Sequence, residues 1–95
     1  MNKYEGVFIF FPDVEEEKRE QTFERVKGLI EKDGAIDEID EWGMKKLAYE
    51  IEDYREGYYR IVRFSTTPDT LAEVDRVLRI SDPVMRHMMI RLEDE

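Results

Sequence analysis

The order of patterns along the chain leaves few folds open. Residues 3–11 form an apolar, strand-like run closed by Pro12 and Asp13. Residues 15–32 carry Phe23, Val26 and Ile30 at helical spacing, with Leu29 beside them, and Gly34 follows as a stop. Asp13 is the candidate N-cap, and the acidic first turn complements the helix dipole. A long, irregular strand over 36–51 comes next, with Gly43 marking a bulge or bend. The pattern predicts a turn at 53–57 and a third strand over 58–65, rich in aromatic and β-branched residues. Thr67 and Pro68 then suit the N-cap and first position of a second helix, whose apolar face is Leu71, Val74, Val77 and Leu78. Arg79 and Ile80 lead out, 81–83 is a loop, and 84–92 is the last strand. An acidic end, 93–95, is expected to be solvated. The order β-α-β-β-α-β is the ferredoxin-like arrangement: an α+β fold, one domain over 1–95, with a four-stranded antiparallel sheet and two helices on one face.

That arrangement makes a prediction the side chains do not obey. Two helices cover one sheet face, so the other face should alternate to polar residues. Instead Phe8 and Phe10 oppose Val7, Ile9 and Phe11 in the first strand. Val62 and Phe64 oppose Tyr59 and Ile61 in the third, and Met85 and Met89 oppose Val84, Met88 and Ile90 in the last. Both faces are apolar. Either a partner covers the second face or the long second strand curls over it, and an exposed apolar patch favours the partner.

Charge pulls the other way from a nucleic-acid role. The chain carries 15 Lys and Arg against 24 Asp and Glu, a formal charge of −9, whereas phosphate contacts need cations. Acid concentrates at 13–20 and 31–41, while the basic residues after Lys45 include Lys46, Arg55, Arg60, Arg63, Arg76, Arg79, Arg86 and Arg91. Contact with RNA would therefore have to be local and assisted by something more basic. The absence of cysteine removes thiolate chemistry and cysteine zinc sites. The longest apolar run, 7–11, is too short to span a bilayer, and a cytoplasmic protein without membrane attachment is expected.

Catalytic constellations are missing from the sequence. His87 is the one histidine, set in an apolar strand, and Ser65 and Ser81 lie in no nucleophile motif. Gly28, Gly34 and Gly43 make no phosphate-binding fingerprint, and the acids at 13–17 lack calcium-loop spacing. No catalytic residue, metal, cofactor or small-molecule substrate is expected. Lys45 and Lys46 lie between Trp42 and Tyr49, and Arg86 and His87 lie beside Met85 and Met88. Cations next to aromatic or apolar surface can bind phosphate and stack on bases, although ion pairing with the many glutamates is the plainer reading. The third strand lacks the Lys/Arg-Gly-aromatic pattern of an RNA-recognition motif.

The stretch Gly43-Met44-Lys45-Lys46-Leu47-Ala48-Tyr49-Glu50-Ile51 resembles the signature of the bacterial small-subunit ribosomal protein six family. Lys3-Tyr4-Glu5, Pro12-Asp13, Arg55-Glu56-Gly57-Tyr58-Tyr59, Leu78-Arg79-Ile80 and Val84-Met85-Arg86-His87-Met88 keep the family's order. The resemblance implies a structural protein of the small ribosomal subunit. It implies binding to the central domain of small-subunit rRNA as a heterodimer with the basic ribosomal protein eighteen, which would supply the missing positive charge. It points to Trp42, Met44, Leu47 and Tyr49 for partner contact. For RNA it points to Tyr4, Arg79, Arg86, His87 and Arg91, with Lys45 and Lys46 in either role and Tyr4 equally suited to the core. Four residues depart from the family pattern: Gly6 and Arg60 replace apolar residues, Glu50 replaces a frequent proline, and Glu52 a basic or small residue. An acylphosphatase-like enzyme and a ligand-sensing regulatory domain share the fold and are the competing readings.

Overall fold

The structure, a computed structural model, describes residues 1–92, so the acidic end at 93–95 lies outside it. The elements are β1 (Asn2–Phe10), α1 (Glu16–Asp33), β2 (Ala35–Ile51), β3 (Tyr54–Thr66), α2 (Pro68–Ile80) and β4 (Val84–Leu92). The strands form one sheet in the order β2-β3-β1-β4, every neighbouring pair antiparallel. This is the expected ferredoxin-like α+β fold.

The core lies between the helices and one sheet face. Tyr4, Phe8, Phe10, Val62 and Phe64 meet Phe23, Val26 and Ile30 of α1 and Val74, Val77 and Leu78 of α2. Nine of these eleven are at most 1% exposed, which puts the main apolar burial on this side. The helical spacing of both apolar stripes is thus what aims them at the sheet.

Local chemistry explains most element boundaries. Thr67 caps α2, its Oγ1 accepting from the Thr70 amide at 3.2 Å, with Pro68 at the first position. The α1 start differs from expectation. Glu15 is the N-cap and makes no side-chain cap bond, while Asp13 lies two residues earlier and accepts from the Tyr54 hydroxyl at 2.9 Å. Gly34 ends α1 in extended geometry rather than the left-handed conformation. A Cβ there would lie 1.9 Å from the Ser65 carbonyl oxygen, so close approach to β3 is what demands glycine.

The β2–β3 hairpin departs most from the sequence reading. The turn is not 53–57 but Glu52 and Asp53, both at positive φ (48° and 70°), with Ile51 paired to Tyr54. Two positive-φ residues match the twist of a two-residue hairpin turn, so the strands run on to its tip. Gly43, at φ 74°, is the expected bulge: the register shifts between Glu41 and Gly43, leaving Trp42 as the extra residue. The helix α2 also runs through Arg79 and Ile80 rather than ending before them, and Phe11 lies just beyond β1.

Candidate functional site

The second sheet face has no helix, and its apolar residues converge there. Val7 pairs with Ile61 and Met88, and Ile9 pairs with Tyr59 and Arg86, so one face collects all of them. The outer part of β2 bends over this face. Leu47, Tyr49 and Ile51 join Val7, Ile9, Tyr59, Arg86 and Met88 around a hollow of about 290 Å³. A Cβ at Gly57 would lie 2.5 Å from Ile9 Cγ2, so the glycine lets this layer close. Trp42 stacks on Tyr59, centroids 6.3 Å apart at 16°, and its indole donates to Asp40 at 2.9 Å. Trp42, Tyr49, Met88 and Ile90 remain 42–61% exposed. The second alternative, the strand curling over the face, is thus partly realised: it covers Ile9 and Ile61 and leaves a surface of exposed aromatic and apolar groups.

Three of the four residues expected at a protein interface sit on this surface. Trp42, Leu47 and Tyr49 do; Met44 pairs with Tyr58 and so lies on the helix-facing side, exposed. Lys45 and Lys46 are exposed on the outer hairpin, opposite Gly57 and Glu56.

The expected RNA contacts separate into two groups. Arg86 lies on the open face, donates to the Tyr49 hydroxyl and places its guanidinium 6.0 Å from that ring's centroid. His87, the next residue, points to the helix side because strand side chains alternate, and meets Asp75 of α2 at 2.7 Å. Asp75 also accepts from Arg79. Its hydrogen bond to His87, and then that to Arg79, hold the Asp75 carboxyl below its ordinary range against the opposing effect of burial. Tyr4 is buried at 5% exposure against Phe64, the core placement the sequence left open. Its hydroxyl accepts from Asn2, whose side-chain oxygen accepts from Arg91 at 3.3 Å. Arg91 is exposed opposite Tyr4.

Sequence reasoning missed the role of Arg60. It is 4% exposed, yet its guanidinium makes a bidentate pair with Glu20 at 3.0 and 2.8 Å and donates through Nε to Glu41. It also lies 4.6 Å from the Phe23 ring centroid. Burial opposes the charged form, but both carboxylates outweigh it and the Arg60 pKa is raised. The bond from Arg60 lowers the Glu20 pKa in turn. The one available signal was an arginine between apolar residues of β3, with an acid-rich helix elsewhere in the chain. Gly6 has a packing reason of its own. It stands where the family has an apolar side chain, yet a Cβ there would sit 2.8 Å from the Phe8 ring, so its absence admits Phe8 and Met89.

The loop after β1 offers little to an anion. The Phe11 and Val14 amides are spent on the carbonyls of Pro83 and Phe11, and Asp13, Glu15, Glu16 and Glu17 surround them. An acylphosphatase-like site would need open amides and an arginine there. Among the described residues, no three His, Cys, Asp or Glu are placed to hold a metal ion, and no helix is long and apolar enough to cross a membrane.

Comparison with known proteins adds an independent line. The family model described as ribosomal protein S6 matches residues 3–91. The small ribosomal subunit protein bS6 of Alkaliphilus oremlandii is 55% identical over 93 residues, covering 98% of this chain and 99% of that one. The bS6 of Alkaliphilus metalliredigens is 50% identical over 94 residues, covering 99% and 100%. A crystal structure of 30S ribosomal protein S6 from Thermotoga maritima superposes with a TM-score of 0.86 at 38% identity, covering 96% of this chain and 87% of that one.

Proposed function

The chain belongs to the ribosomal protein S6 family, and from this we propose that it acts in the cytoplasmic small ribosomal subunit by binding rRNA together with a basic protein partner. The partner in this reading is ribosomal protein eighteen, and the RNA is the central domain of small-subunit rRNA. The work is assembly rather than catalysis: paired proteins hold RNA helices in one relative arrangement through many modest contacts.

One observation carries the reading: a sheet face without a helix that still exposes Trp42, Tyr49, Met88 and Ile90, on a chain of charge −9. Such a face gains by docking a protein. A net negative chain gains little from phosphate unless its partner brings cations. Trp42, Leu47 and Tyr49 then belong to the protein contact. Arg79, Arg86, His87 and Arg91 belong to the RNA contact, with Lys45 and Lys46 free to serve either; Tyr4 supports Arg91 from below through Asn2.

The test is RNA affinity at physiological salt, with and without the partner. The isolated chain should bind the central-domain fragment poorly and the heterodimer tightly. Arg86→Glu should weaken heterodimer binding to RNA without changing the fold. Tight binding by the isolated chain, or absence of the chain from purified small subunits, would overturn the proposal.

A further inference from the structure

Asp75 joins two basic side chains from different elements. Its Oδ1 lies 2.7 Å from His87 Nε2 on β4, and its Oδ2 accepts from Arg79 one turn further along α2. The His87 side chain is 14% exposed and that of Arg79 is 68% exposed. Arg79 and His87 line a hollow of about 260 Å³ with Arg86, floored by Leu78, Val84 and Met85. Two basic side chains, Arg79 and His87, thus meet at one hollow in a chain that is strongly acidic overall, while Arg86 borders it but sends its guanidinium to Tyr49 on the other face.

We propose that Asp75 is a positioning residue for RNA, presenting Arg79 and His87 as one phosphate-binding unit at the junction of α2 and β4. The inference rests on the RNA-binding reading above and adds the residue that organises it. A guanidinium has five N–H donors, and the one bond from Nη2 to Asp75 leaves the others unspent on a side chain that is 68% exposed. An arginine already held by a neighbour loses less side-chain freedom on meeting a phosphate than a free one. The same carboxylate fixes the orientation of the His87 ring through Nε2. The low pKa of Asp75 keeps it ionised through the neutral range, so the arrangement persists there.

A carboxylate near RNA has an opposite, simpler effect, which is repulsion, and the two are separable. The experiment measures affinity of the heterodimer for the central-domain RNA fragment across a salt series. The proteins compared are wild type, Asp75→Asn, Asp75→Glu, Arg79→Gln with His87→Gln, and that pair combined with Asp75→Asn. Asp75→Asn should bind roughly fivefold to tenfold more weakly, because it decouples two contacts that act together. Its salt dependence should flatten by up to about one phosphate's worth. Asp75→Glu should recover most of the loss. In the doubly substituted background, Asp75→Asn should change nothing. Unchanged or tighter binding by Asp75→Asn overturns the proposal and makes Asp75 a mere repellent. A loss that persists undiminished in the doubly substituted background also overturns it, by showing a structural defect. If wild-type heterodimer binds no RNA, the RNA reading itself falls; if it binds and only Asp75→Asn is silent, that reading stands without this inference.

Discussion

The two faces of the sheet are built from the same four strands and similar side chains, yet they differ in kind. On the helix side, Phe8, Phe10, Val62 and Phe64 are wholly buried. On the open side, Trp42, Tyr49, Met88 and Ile90 are 42–61% exposed. Apolar character alone does not distinguish core from docking surface; what covers the face does. Polar groups follow the same division. The buried Arg60 is fully committed to Glu20 and Glu41, whereas Arg86 rests on one tyrosine at the rim.

The comparison breaks first if the covered face proves replaceable. Phe8→Ala should cost about 4 kcal/mol in denaturant unfolding, from lost burial plus the cavity left behind. Met88→Ala on the open face should cost less than about 1 kcal/mol. Equal costs would mean that the open face is core after all.

Next in size is the buried ion network. Removing both partners, Glu20→Gln with Glu41→Gln, should cost about 3 kcal/mol, because it strands the Arg60 charge. Glu20→Gln alone should cost about half as much, since Glu20 is 40% exposed and Glu41 still compensates. The network also sets a pH dependence. Because the folded Glu20 pKa is depressed, its contribution is present above the ordinary carboxylate range and is lost as pH falls through the folded value. Stability measured between pH 6 and pH 3 should therefore fall less steeply in Glu20→Gln than in wild type, and parallel curves would remove Glu20 from the account.

On the open face the effect should move from stability to binding. Leu47→Asp should weaken pairing with the basic partner at least tenfold, about 1.4 kcal/mol by calorimetry, while unfolding changes little. Normal pairing would take the outer hairpin off the interface. The smallest effect is expected at Thr66, whose fully buried hydroxyl has no hydrogen-bond partner among the described residues. Thr66→Val should be neutral or stabilising by up to about 1 kcal/mol in thermal unfolding. A clear loss would reveal a partner for that hydroxyl, such as bound water.

Much of this was legible in advance, for local reasons. The helical spacing in α1 and α2, the Thr67-Pro68 cap and the Gly43 bulge each depend on residues within a turn or two of one another. So does strand alternation, which already announced a second apolar face. The true hairpin turn was harder to see, because Glu52 and Asp53 are not the glycine or asparagine that positive φ usually selects.

The order of the elements, the two apolar stripes and the unbalanced charge follow from neighbouring residues and are legible in the sequence alone. Long-range packing settled which face the helices cover and how far the β2–β3 hairpin folds across the other. It set Arg86 and His87 on opposite sides and brought Arg60 to a glutamate 40 residues away. Periodicity records that a residue has a face; the partner of that face is chosen by packing between segments far apart in the chain, and no local pattern encodes it.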